Sequence, residues 1–209
     1  MSRNYFTVSG DAENTIIIER SKFICYIKKV EDEQQAKTFI DQIRKKHSLA
    51  THNCYAYIAD DKGLVQKFSD DGEPQGTAGL PMLDVLKNKR IYKTCAVVTR
   101  YFGGIKLGTG GLTRAYSGSV VECLEKVGVV EMCSAKIIKV LLDYEGYSLF
   151  LKLTNNQNVK IINTIFDNSI TVEIAVKEEF CGDFKDKIID SFNGKIQIED
   201  LDSDFYPFN

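Results

Sequence analysis

Residues 93–99, Lys-Thr-Cys-Ala-Val-Val-Thr, constrain this chain more than any other stretch. Successive side chains of a strand point to opposite faces. The centre, Cys95-Ala96-Val97-Val98, is therefore apolar on both, which suits an interior strand covered from two sides. The strand runs into Arg100-Tyr101-Phe102 and then a glycine-rich segment, Gly103 to Gly111. A helical pattern follows from about Leu112 to Val127, with Gly128 as its stop.

The flanking segments extend this α/β pattern. Tyr5–Val8, Asn14–Arg20 and Lys22–Val30 read as strands, with Gly10-Asp11 as a turn. Asp32 and Gln35 suit a capping box, and Ala36, Phe39, Ile40 and Ile43 then mark one apolar helical face. Lys37, Asp41, Arg44 and Lys45 read as its solvated side. Asn53–Ala59 and Leu64–Ser69 form a hairpin through Asp60-Asp61-Lys62-Gly63. A short helix fits Leu80–Lys89, since Pro81 is tolerated in a first turn. Near Met132–Ala135 the pattern restarts as strand, helix (Gly146–Gln157), two strands joined at Asp167-Asn168, helix (with Phe180, Phe184, Ile188 and Phe192 on one stripe) and a last strand ending at Leu201. That order, βαββαβ, is the ferredoxin-like unit. The expected domains are 1–132 and 133–209.

A chain of 209 residues accommodates two such domains, and at this size folding buries roughly 70% of the unfolded surface. No stretch approaches the ~20 apolar residues of a membrane span. Met1–Asn14 lacks the basic start and apolar core of a secretory signal. A cytoplasmic location and no membrane partner are the expectation. Six cysteines occur with no C-x-x-C pair, fitting neither a disulfide framework nor a zinc ribbon. They read as small buried hydrophobes. The net charge of -2 is uneven: residues 1–133 carry 19 Lys and Arg against 16 Asp and Glu, and residues 134–209 carry 8 against 13. Any phosphate contact belongs mainly to the N-terminal half.

Candidate function concentrates in two loops between Ser69 and Tyr116. The first, Ser69 to Gly79, holds Asp70, Asp71, Gly72, Glu73 and Thr77. The second supplies Arg100, Tyr101, Gly103, Gly104, Lys106, Gly108, Gly110, Gly111, Arg114 and Tyr116. Five glycines in nine residues cost backbone entropy, which is spent where φ is positive or another group approaches closely. A glycine-rich segment between a buried strand and a helix N-terminus offers free N–H groups and the positive end of the helix dipole, so a phosphate-type anion is the natural guest. Arg100, Lys106 and Arg114 add charge. The alternative is that Arg100 and Arg114 pair with Asp70, Asp71 and Glu73, and the glycines only let the loops pack. The P-loop pattern fails because Thr109 stands where its lysine is needed, and Gly108–Thr113 lacks the last glycine of the dinucleotide fingerprint. His52 and Asn53 read as polar residues facing the same groove. His47, His52 and Cys54 make a metal site or a nucleophilic thiol conceivable, but two histidines without a second nearby cysteine are a poor zinc set. No metal, cofactor or catalytic residue is expected.

Ala50–Tyr57, Ser69–Gly79 and Val97–Gly118, taken in order, closely resemble the IMPACT family in its bacterial YigZ-type form, and the segments at Thr7–Asn14 and Arg20–Ile27 resemble it too. Gln75 and Thr109 replace residues usually small in the family. The resemblance implies an α+β protein. Its N-terminal half would be an α/β sandwich like the second domain of small-subunit ribosomal protein five, and its C-terminal half a ferredoxin-like domain. That pair, in that order, is similar to the last two domains of elongation factor G. The resemblance also implies translational regulation. Eukaryotic relatives compete for a large activator of the amino-acid-starvation kinase and carry a further N-terminal domain. It implies no enzymatic activity. Three functions remain open: binding RNA, the ribosome or a translation factor, with Tyr101, Phe102 and Tyr116 able to stack on bases; protein interaction through a sheet edge or helix face; and a small-molecule phosphate or nucleotide enzyme, for which galactokinase-type kinases offer fold analogy alone.

Overall fold

The computed structural model describes residues 4–208. It separates into two compact units, Tyr5–Val130 and Glu131 onward, the latter with Asn4. Among the described residues no helix is long and apolar enough to cross a membrane.

In the N-terminal unit, β1 (Tyr5–Val8), β2 (Ala12–Ile18) and β3 (Ser21–Lys29) precede α1 (Glu33–Lys46). Then come β4 (His52–Ile58), β5 (Gln66–Ser69), α2 (Gly79–Asn88), β6 (Thr94–Tyr101) and α3 (Gly108–Val127). Five strands form a sheet in the order β2-β3-β6-β4-β5, antiparallel throughout. β6 lies at its centre, and Thr94 to Arg100 are all buried. Two separate clusters cover its faces. Ala36, Ile40 and Ile43 of α1 pack on Ile24, Tyr26, Tyr57, Cys95 and Val97. Met82 and Leu86 of α2, with Leu112, Tyr116 and Val120 of α3, pack on Cys25, Cys54, Ala56, Ala96 and Val98. Helices on both faces of an antiparallel sheet thus account for the two-sided apolar run.

Local signals explain the boundaries. The Asp32 carboxylate accepts the Gln35 N–H at 2.7 Å, while the Gln35 side chain accepts from Glu31 N–H at 3.1 Å, one residue before the expected reciprocal bond. Asp60 accepts the N–H groups of Leu64 and Val65, closing the β4–β5 hairpin. β2 and β3 are joined by Glu19 and Arg20, both left-handed at φ 46° and 65°. Paired left-handed residues suit the twist of a two-residue hairpin, although Asn-Gly is the usual solution. α3 starts four residues before the expected Leu112, because Leu107 packs against the core and the second half of the glycine run becomes its first turn.

The second unit contains β7 (Val129–Leu142) from Glu131 onward, α4 (Tyr144–Thr154), β8 (Val159–Phe166), β9 (Ile170–Lys177), a 3-10 turn at Glu178–Phe180, α5 (Cys181–Ser191) and β10 (Gln197–Pro207). β7 pairs with both β10 and β9, and β9 with β8, all antiparallel. This is the ferredoxin-like arrangement. Phe150 of α4 and Phe184 and Ile188 of α5 cover Ile138, Val140, Ile170, Val172 and Ile174 on one face. β10 continues past Leu201 to Pro207 because the fourteen residues of β7 give it a partner from Leu141 to Met132, with an irregularity between Asp200 and Ser203. All six cysteines are buried and free.

Candidate functional site

Strand register gathers the two loops at one end of the N-terminal sheet. Arg100 near the end of β6 pairs with His52 at the start of β4 and with Phe23 on β3. Residues in register share a face, so these three lie on the side covered by α2 and α3. Tyr101 and Asn53 lie on the α1 side.

The carboxylates of the first loop are used internally. Glu73, 8% exposed, accepts from Arg100 Nη1 at 2.7 Å and from the Tyr116 hydroxyl at 2.7 Å through the same oxygen. His52 Nε2 lies 3.8 Å from that oxygen, while its Nδ1 is 2.8 Å from the Asp71 carbonyl. Asp71, at φ 45°, accepts Asn53 N–H at 2.6 Å and meets Arg44 at 3.1 Å. Asp70 accepts three backbone N–H groups, from Gly76 at 2.8 Å, Ala78 at 3.1 Å and Gly79 at 2.8 Å, and so ties the loop to the start of α2. The buried Thr77 hydroxyl donates to Pro74 O at 2.6 Å. Asp70→Ala leaves those N–H groups without their acceptor and is expected to cost about 1–3 kcal/mol. Chemical denaturation followed by circular dichroism measures this, and an unchanged midpoint would show that the loop is not held by the carboxylate.

The fold overturns two expectations from the sequence. Arg100 is not an open phosphate ligand: it is 5% exposed, its Nη1 is taken by Glu73, and its Nη2 donates to Ser21 Oγ at 3.3 Å. Its Nε is buried with no hydrogen-bond partner among the described residues. Tyr116 is fully buried, edge-on to Phe23 with ring centroids 5.3 Å apart, and presents no face to a base. The alternative pairing of the loops holds for Arg100 with Glu73, whereas Arg114 has no such partner among the described residues.

The second loop faces outward. Gly103 N–H donates to Ser21 Oγ at 3.2 Å, and a Cβ on Gly103 would fall 2.0 Å from the carbonyl carbon of Arg20. Gly104 and Gly108 need positive φ, 86° and 69°. A Cβ at Gly104, Gly108 or Gly110 meets no atom within 4 Å, while one at Gly111 would press on Leu107 at 2.9 Å. Among the described residues no side chain caps the start of α3. Lys106 and Arg114 are exposed and form no ion pair among the described residues. The block therefore presents unpaired cations beside open backbone at a helix N-terminus, with Asp70, Asp71 and Glu73 already engaged.

His47 lies on the opposite face of the sheet from His52. Its Nε2 is 2.7 Å from the Tyr26 hydroxyl and its Nδ1 2.9 Å from that of Tyr101. Burial, with help from Lys46, holds its pKa below the ordinary value. The neutral ring fixes Tyr101 at the mouth of the glycine loop. Cys54 is fully buried and donates to Asp70 O at 2.9 Å. Burial pushes its thiol strongly up, and the carboxylates of Glu73, Asp71 and Asp70 push the same way. A thiol so disposed is a poor nucleophile. The His47, His52 and Cys54 trio is thus split between two faces and committed to internal bonds. Sequence reasoning missed Ser21, Phe23, Thr51 and Arg44 as supports of the site. Only the period-two register with β6 could have placed Phe23 beside Arg100.

Residues 19–124 match the model of the Impact N-terminal domain. The IMPACT family member YvyE of Bacillus subtilis is 44% identical over 200 residues, covering 96% of this chain and 92% of the relative. The IMPACT family member YigZ of Escherichia coli is 33% identical over 183 residues, covering 87% and 90%. A crystal structure described only as that of a hypothetical protein superposes with a TM-score of 0.61 at 30% identity, covering 97% of this chain and 99% of that one. With both loops and four of the five strands of their sheet, β3 to β6, inside the matched region, the chain belongs to the IMPACT family.

Proposed function

We propose that this chain is a translation-linked regulator of the cytoplasm that engages RNA, on the ribosome or alongside a translation factor, through the block from Ser69 to Tyr116. The phosphate contact is made by Lys106, Arg114 and the N–H groups at the start of α3. One observation carries the reading: the carboxylates of the acidic loop are engaged by hydrogen bonds and ion pairs within the fold, while these two cations remain exposed beside open glycine backbone. A helix N-terminus with free donors favours anions, and Gly104, Gly108 and Gly110 leave room for one to approach. Family membership supports the translational role, which the sequence resemblance implied. The near-neutral chain fits selective contact better than non-specific coating of RNA.

The test compares the wild type with Lys106→Ala/Arg114→Ala for binding to single-stranded RNA and to ribosomes across a salt series. Loss of two phosphate contacts is expected to make the log–log salt slope shallower by about 1.4, at roughly 0.7 per contact on a single strand. Thermal stability should be unchanged, since neither side chain is paired. A folded double mutant with the wild-type slope would sink the phosphate reading. A second reading, protein interaction, is favoured by exposed Leu64, Val65 and Phe68 beside the edge strand β5. It expects those residues to matter and Lys106 and Arg114 to be dispensable.

A further inference from the structure

Of Tyr101, Phe102 and Tyr116, the three rings the sequence offers for stacking, Phe102 alone is exposed. Tyr116 is fully buried, and the Tyr101 hydroxyl is held by His47. Phe102 is 47% exposed, yet its surroundings are fixed. Its N–H donates to Thr51 Oγ1 at 3.1 Å. The next residue, Gly103, is clamped against the Arg20 backbone. Arg100 Cζ lies 5.4 Å from the centroid of the Phe102 ring and 5.3 Å from that of Phe23, within the distance at which a guanidinium interacts with an aromatic face. Glu73 in turn holds the guanidinium in place.

We infer that Phe102 is a stacking platform for an unpaired RNA base, with Arg100 as the residue that positions it; this rests on the proposal that the block binds RNA. An aromatic ring held rigidly at the surface loses little freedom when a flat group stacks on it, and base–aromatic stacking tolerates any base. The setting matches the charge of the strand that carries the base. Lys106 follows four residues later, and exposed Lys22 pairs in register with Tyr101, the residue preceding Phe102. Duplex RNA keeps its bases stacked inside, so the site selects single strands, loops or ends. This gives Arg100 a role that its burial allows: it supports the ring and leaves phosphate contact to Lys106 and Arg114.

The experiment uses the full chain and a single-stranded RNA oligomer containing 2-aminopurine, whose fluorescence is quenched on stacking. Wild type is expected to quench the probe, and unlabelled duplex RNA should compete poorly. Phe102→Leu keeps an apolar side chain without a π-face and should lower affinity about ten-fold while leaving the salt slope unchanged. Phe102→Tyr should restore both quenching and affinity. If wild type binds the RNA but leaves the probe unquenched, or if Phe102→Leu binds as tightly as wild type, the stacking inference is overturned and the phosphate proposal stands. If wild type binds no RNA at low salt, both fall and the exposed ring belongs to a protein contact.

Discussion

Arg100→Ala is expected to lower the stability of the N-terminal unit by about 3–5 kcal/mol, because removing one partner of a buried ion pair strands the other. The Glu73 carboxylate would keep only the Tyr116 hydroxyl at hydrogen-bond distance, with His52 Nε2 at 3.8 Å. Both partners are nearly free of solvent, at 6% and 3% side-chain exposure, so water cannot easily replace the lost guanidinium. Glu73→Gln should be costly for the complementary reason, since the buried guanidinium then lacks a counter-charge. Replacing both by apolar residues of similar volume should recover part of the loss. Urea unfolding followed by circular dichroism reads all three. A loss below about 1 kcal/mol in Arg100→Ala would place the pair in the weak class of solvated surface bridges.

Gly103→Ala is the second large effect. The added Cβ would stand 2.0 Å from the Arg20 carbonyl carbon and 2.5 Å from Ser21 N, both backbone atoms that cannot swing away. Either β6 withdraws from the β2–β3 turn or that already left-handed turn is forced into a new shape. Overpacking of side chains costs roughly 1–3 kcal/mol, occasionally more, and a backbone collision belongs at or above the top of that range. Gly104→Ala is the informative contrast. It meets no atom within 4 Å, so its cost is the positive φ alone, of order 1–3 kcal/mol. Equal destabilisation by the two substitutions would mean that the Gly103 contact relaxes freely. The neighbouring glycines are therefore required for different reasons: Gly103 for packing, and Gly104 for backbone conformation beside an open surface.

Much of the fold was legible because it depends on periodicity. The two-sided apolar run at Cys95–Val98 demanded an interior strand, and β6 is central and buried along nearly its whole length. Asp32 and Gly128 marked helix ends because capping is chemistry within a few residues. The start of α3 was less legible. Glycine signals a loop in a local reading, whereas Leu107 binding the core overrides that preference and draws Gly108–Gly111 into the helix. The full length of β10 is hidden from local spacing for a similar reason: its acidic outer part, Asp200 to Asp204, is a strand only because β7 lies beside it.

By itself the sequence determined the order of elements, since this follows from apolar spacing and turn residues, and its glycine density marks the stretch to which we assign the proposed function. It also supplied the inventory of charges in the two loops. Only the tertiary structure decided which charges remain available. Arg100 and Arg114 look alike along the chain. One points into the core beside a loop carboxylate 27 residues upstream, and the other stands on the exposed side of a helix. Charge pairing is settled by distance in space and by removal from water, and neither is encoded in local spacing.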